Sequence, residues 1–176
     1  RIVPSTRVNY HLDSLSKEDI CSVLCSSFEE LSNMEIQGPS SSEAFILSLD
    51  VSVFKATQNF STQDYLNWIV HNSKIEKSTL ILTFILLDKV TAYSNSLINA
   101  ETKMKLLIGA LICAIKYNQD DASSDKVYTS ILGVNLPTLI IVESKFLELI
   151  DYSVHVNLQT FAQYLGNIYK IQNIDK

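Results

Sequence analysis

The chain has 176 residues, enough for one domain with a substantial core. Four glycines and three prolines, with 47% hydrophobic and 19% charged residues, are too few turn formers for an all-β fold and point to helices. A formal net charge of −5 argues against nucleic acid as the main partner.

Three cysteines are an odd number with no framework spacing, as expected in a reducing compartment. Cys21 and Cys25 share a helical face, and His11 would be a third metal ligand, but no fourth candidate stands out. Small buried apolar residues are the simpler reading, so no metal and no cofactor is expected. The longest apolar run is ten residues, Leu106 to Ile115, about half of what a membrane span needs. No signal peptide is recognisable, and a chain that begins at Arg1 reads as part of a longer one.

After an unpatterned start, "LSKEDICSVLCSSFEEL" predicts a helix over about 16–32. Ser16 and Asp19 stand in capping-box places, and Leu15 and Ile20 where a hydrophobic staple would be. Ile20, Leu24, Phe28 and Leu31 recur at helical spacing. Residues 33–43 are loop-like, and "AFILSLDVSVFKATQNF" fits a strand by alternation and an irregular helix by length.

From Ser61 the helices come densely. "STQDYLNWIVHN" opens on Ser61 and Asp64 in capping-box places, and a nearly all-apolar helix follows over 76–94. The third covers "NAETKMKLLIGALICAIKY", with Asn99 as its N-cap and Glu101 at its positive end. The fourth, "SSDKVYTSIL", closes on Gly133, and the fifth, "NLPTLIIVESKFLELIDY", has Asn135 as cap and Pro137 in its first turn. Beyond a short extended piece, Asn157 caps a last helix with an apolar stripe of Leu158, Phe161, Leu165 and Ile168. Five helices between 61 and 153 with short connections describe an all-α domain. The third is apolar all round and should be central, with Leu107 and Leu111 in the core.

Catalytic motifs are missing: there is no phosphate loop, G-x-S-x-G elbow or H-E-x-x-H. His11, His71 and His155 are widely separated. Asp120, Asp121 and Asp125 form a small cluster of the kind that holds magnesium and diphosphate in isoprenoid-type synthases. Their spacing differs, a second cluster is lacking, and a solvated loop explains them more simply. Two charges carry more weight. Lys116 lies in line with Gly109, Ile112 and Cys113, and Glu143 stands among Leu139, Ile140, Phe146 and Leu147. A charge on an apolar face is costly unless it is paired or meets a partner. If their helices are neighbours, the two can form a structural salt bridge, reach water separately, or mark an interface.

Several stretches together resemble the cyclin box. "LLIGALICAIKYNQDD" is similar to its central helix, "LLDKV" to the preceding "YLDRI", and "VESKFLELIDYSVHV" to "LE..FL..LDF.L.V". "STQDYLNWIV" resembles the opening "S..DYL.RI" of the phosphate-regulatory, P/U-type single-box cyclins. The resemblance implies an all-α, five-helix box over 61–155 with a central buried helix. Residues 1–60 would be an N-terminal extension with one helix, and 156–176 a C-terminal helix packing on the box.

It further implies a regulatory subunit without an active site, which binds a cyclin-dependent protein kinase and activates it by holding the kinase C-helix inward. Lys116 and Glu143 match the lysine and glutamate through which cyclins contact the kinase, with Asp120 close by in the "DD" step. The chain departs from the pattern at Met104 and Lys105, at Ile140, and at Trp68 in place of an arginine. The pairing of that arginine with the aspartate of "LDR", here Asp88 and expected in the structural core, is therefore not carried over. Trp68 is either an interface anchor or a core tryptophan. The expected protein is an intracellular, nuclear or cytoplasmic, cell-cycle type of regulator that binds no membrane. It would be a monomer alone and a heterodimer with its kinase. A cyclin-fold scaffold without a kinase is the alternative, and a small magnesium/diphosphate enzyme the remote one.

Overall fold

The computed structural model of the chain describes residues 12–32, 61–93, 102–119 and 125–174. These form a 3-10 turn, Leu12–Ser14, and seven α-helices, with no strand among the described residues. The helices are α1 (Lys17–Ser32), α2 (Thr62–Asn72), α3 (Lys77–Tyr93), α4 (Lys103–Asn118), α5 (Asp125–Leu132), α6 (Leu136–Leu149) and α7 (Leu158–Ile174).

Local chemistry explains most of the starts. The Asp19 amide donates to Ser16 Oγ at 2.9 Å, while the Ser16 amide donates to Asp19 Oδ2 at 3.1 Å: a complete capping box. Ser61 accepts from the Asp64 amide at 3.1 Å, Asn135 from Thr138 at 2.9 Å, and Asn157 from Thr160 at 2.8 Å. Asn99 lies outside the described residues, as do 33–60; α4 begins at Lys103, with Thr102 at its N-cap and no side-chain cap.

The expected centre is the centre. Every residue from Leu106 to Ile115 is buried, and Leu107 and Leu111 are wholly inaccessible. α4 packs most extensively on α3 and α6. Gly109 makes the second contact tight, because an added Cβ would lie 2.7 Å from Phe146 Cβ. Lys105 is also buried, at 3% exposure, which its sequence context did not announce.

α1 lies across the box on α2, α3 and α7, burying Ile20, Leu24 and Phe28. Glu29 near its end accepts from Thr62 Oγ1 at 3.1 Å and from Lys103 Nζ at 3.4 Å, which ties α1 to the starts of α2 and α4. α7 returns to α3 and α1. There Tyr169 shares a hydrogen bond with Ser14, and Gln172 donates to the Asp19 carbonyl at 3.1 Å.

The end of α6 differs from expectation. The helix stops at Leu149, and Asp151 and Tyr152 turn left-handed with φ of 48° and 54°. The Tyr152 amide donates to the Leu147 carbonyl at 2.8 Å, closing the helix. An extended strap, 153–157, follows; Val154 and Val156 pack on the core while Ser153 and His155 are exposed. Leu158 leaves the predicted stripe. It is the first residue of α7, a turn ahead of Phe161, and is 83% exposed.

Candidate functional site

α4 and α6 cross where Phe146 covers Gly109, and the same two helices carry the two charges. Lys116 lies two turns beyond Gly109, and Glu143 one turn before Phe146, so both reach the edge of the crossing. Lys116 Nζ donates to Glu143 Oε2 at 2.8 Å, with side chains 32% and 20% exposed. The other carboxylate oxygen, Oε1, makes no hydrogen bond among the described residues, so an acceptor stays available to a partner. Beneath the pair, burial and then Glu143 push the Cys113 thiol up to about 12, with Lys116 opposing. That thiol is a protonated, apolar floor.

Exposed apolar groups border the charges. Ile140, one turn before Glu143, is 51% exposed, and Tyr117, next to Lys116, is 46% exposed. A charged pair set among exposed apolar side chains has the makeup of a protein–protein contact surface. Trp68 is exposed as well, but on α2, which packs chiefly on α1 and α5. Asp120 and Asp121 lie outside the described residues.

Asp88 requires a correction. It is exposed rather than core, on the side of α3 where α7 meets it. The Tyr164 hydroxyl of α7 donates to its Oδ2, and Thr91 Oγ1 donates to its carbonyl at 2.7 Å. The Tyr164 ring meets Phe84 edge-on, with centroids 5.6 Å apart, and burial, then the bond to Asp88, raises the Tyr164 hydroxyl pKa.

Two features went unread in the sequence. Lys89, noted only inside "LLDKV", donates to the Ser153 carbonyl at 2.6 Å and the His155 carbonyl at 3.0 Å. His155, noted only as one of three widely separated histidines, shares a hydrogen bond with the Tyr117 hydroxyl at 3.0 Å through Nδ1. The alternation of "SVHV" was the available signal, since it declares an extended segment whose carbonyls alternate in direction.

Among the described residues, no other cluster of reactive side chains forms. Cys21 and Cys25 are buried, and burial pushes their thiols up to about 12, as in apolar packing. Among the described residues no group of three metal-ligating side chains forms, and no helix is long and apolar enough to cross a membrane. A cavity of about 510 Å³ between α2, α4 and α5 is lined by His71, Lys74, Ile75, Ile115 and Tyr128, with no carboxylate among the described lining residues.

Comparison with known proteins agrees with this architecture. The chain is similar to the Nuc-1 negative regulatory protein preg of Neurospora crassa, with 25% identity over 115 residues. That match takes in 65% of this chain and 24% of the relative, so the chain spans about a quarter of the length of the curated relative it matches. The family model described as Cyclin matches residues 15–154, from the start of the capped first helix to the strap, and so includes both α4 and α6. With an all-helical fold built around a buried α4, the chain belongs to the cyclin family.

Proposed function

We propose that this chain is a regulatory subunit that docks on a cyclin-dependent protein kinase and activates it. The observation that carries the reading is the Lys116–Glu143 pair, 2.8 Å apart on a partly exposed rim between Tyr117 and Ile140. Residues 61–155 would be the box, 1–60 an extension whose helix braces it, and 156–176 the closing helix. Trp68 and Asp120 would extend the contact.

The chain itself would perform no catalysis. Its rim would hold the kinase C-helix inward, so that the kinase's own lysine–glutamate pair forms and its activation loop opens. Such a shift requires tighter binding to the active conformation than to the inactive one. By its name the relative is a negative regulatory protein. Control of another protein, rather than catalysis, is the role proposed for this chain too, in the interior of the cell and as a heterodimer with the kinase.

The test is affinity purification of the full chain from native extract with identification of the bound kinase, followed by activity of that kinase with and without the chain. Lys116→Glu and Glu143→Lys should each weaken binding by about 2–5 kcal/mol, because the complex would bury a charge opposite groups that can no longer satisfy it. Full binding and activation by well-folded variants would show the pair to be structural.

A further inference from the structure

The strap after α6 is held from one side by a single ammonium group. Lys89 Nζ donates to the carbonyls of Ser153 and His155, and lies 3.5 Å from Ser153 Oγ. One ammonium can take both carbonyls only while the strap keeps the conformation that turns them toward the same point. The three contacts use the full donor capacity of an ammonium. Burial also lowers the Lys89 pKa, as expected of a cation partly withdrawn from water to reach backbone.

The strap leads directly to the rim. His155 bonds Tyr117, whose chain neighbour is Lys116, and Tyr152 at the head of the strap is 64% exposed. Ser153 and His155 are exposed, so water can replace the lysine on their carbonyls at little cost to folding. What water cannot supply is a fixed direction.

We propose that Lys89 is a positioning residue for partner docking: it pins the strap so that Tyr152, His155 and Tyr117 form one rigid surface beside Lys116 and Glu143. The proposal rests on the docking function above and adds a residue outside the contact surface. Its physical basis is preorganisation, since a loose strap must be ordered at the moment of binding.

The experiment compares wild type, Lys89→Met and Lys89→Arg, each as the full chain. Methionine keeps the aliphatic stem and removes the donors, whereas arginine keeps charge and donors. Amide hydrogen exchange is read at Tyr152, Ser153 and Val154, whose amides are bonded to Leu147, Ile150 and Tyr152, and within α4. Dissociation is read from the purified kinase that wild type captures. Lys89→Met should speed strap exchange about tenfold with α4 unchanged, and speed kinase dissociation about tenfold; arginine should restore most of both.

Faster exchange in α4 as well would make Lys89 an ordinary stabilising residue and overturn the proposal. Unchanged strap exchange, or a loosened strap with wild-type dissociation, would overturn it too. In those cases wild type still binds its kinase and the docking function stands. A wild-type chain that captures no kinase overturns the docking function, and with it any role of Lys89 toward a partner.

Discussion

Phe146 rests on the bare backbone of Gly109, and an added Cβ there would fall 2.7 Å from Phe146 Cβ and 2.9 Å from two of its ring carbons. The glycine therefore sets how closely α4 and α6 approach. Gly109→Ala gains about 1 kcal/mol of helix propensity but forces α6 outward, at a cost of about 1–3 kcal/mol. Net destabilisation is expected in urea titrations. Because the rim charges sit on the same two helices, kinase binding should fall along with stability. A stabilised variant with normal binding would contradict the close approach.

A charge exchange separates packing from docking. Lys116→Glu combined with Glu143→Lys restores an ion pair across the rim, so stability should return to within about 1 kcal/mol of wild type. Binding should stay weak, since the partner would meet each charge in the wrong place. Recovery of binding in the double variant would assign the pair to structure alone.

Truncations in α4 should be severe. Leu107→Ala and Leu111→Ala remove wholly inaccessible side chains, and each should cost about 2–5 kcal/mol in chemical denaturation. A loss below about 1 kcal/mol at both would be incompatible with a central α4.

Alkaline pH should weaken the fold by a predictable route. Burial raises the Cys21, Cys25 and Cys113 thiols from 9.0 to about 12, so the folded state holds protons that the unfolded chain releases. This contribution is whole below pH 9 and is lost as pH rises toward 12. Denaturation midpoints should fall steadily from pH 9 to pH 11, and more gently for Cys113→Ala. Equal slopes with and without Cys113 would mean that its thiol is not shielded.

The Asp88–Tyr164 bond should count for little. Tyr164→Phe removes one hydrogen bond to an exposed carboxylate and keeps the edge-on contact with Phe84. A loss of about 0.5–1.5 kcal/mol is expected in thermal or chemical unfolding. A much larger one would show that α7 depends on this bond to stay on α3.

What was legible follows from the range of the forces involved. The caps at Ser16, Ser61, Asn135 and Asn157 are local, three residues from donor to acceptor, and each was visible in its own short stretch. The burial of α4 was legible because ten apolar residues admit no wet face. Lys116 and Glu143 were visible as costly charges, though only the fold shows that they meet. Lys89 and His155 were not legible, because their partners are 64 to 66 and 38 residues away and are, for Lys89, mainly backbone atoms that no side-chain pattern marks. Asp88 was misplaced by analogy with the family pattern: here it is exposed and bonded by an α7 tyrosine. Leu158 shows the limit of periodicity at a helix end, where the apolar stripe has begun but the core has not.

The clasp between the first and last described helices bears on mechanics. Ser14 meets Tyr169, and Gln172 holds the Asp19 carbonyl, so the two ends of the described residues are fastened to each other. A pull on both would load that clasp first and peel α1 and α7 away together while α4 stayed enclosed.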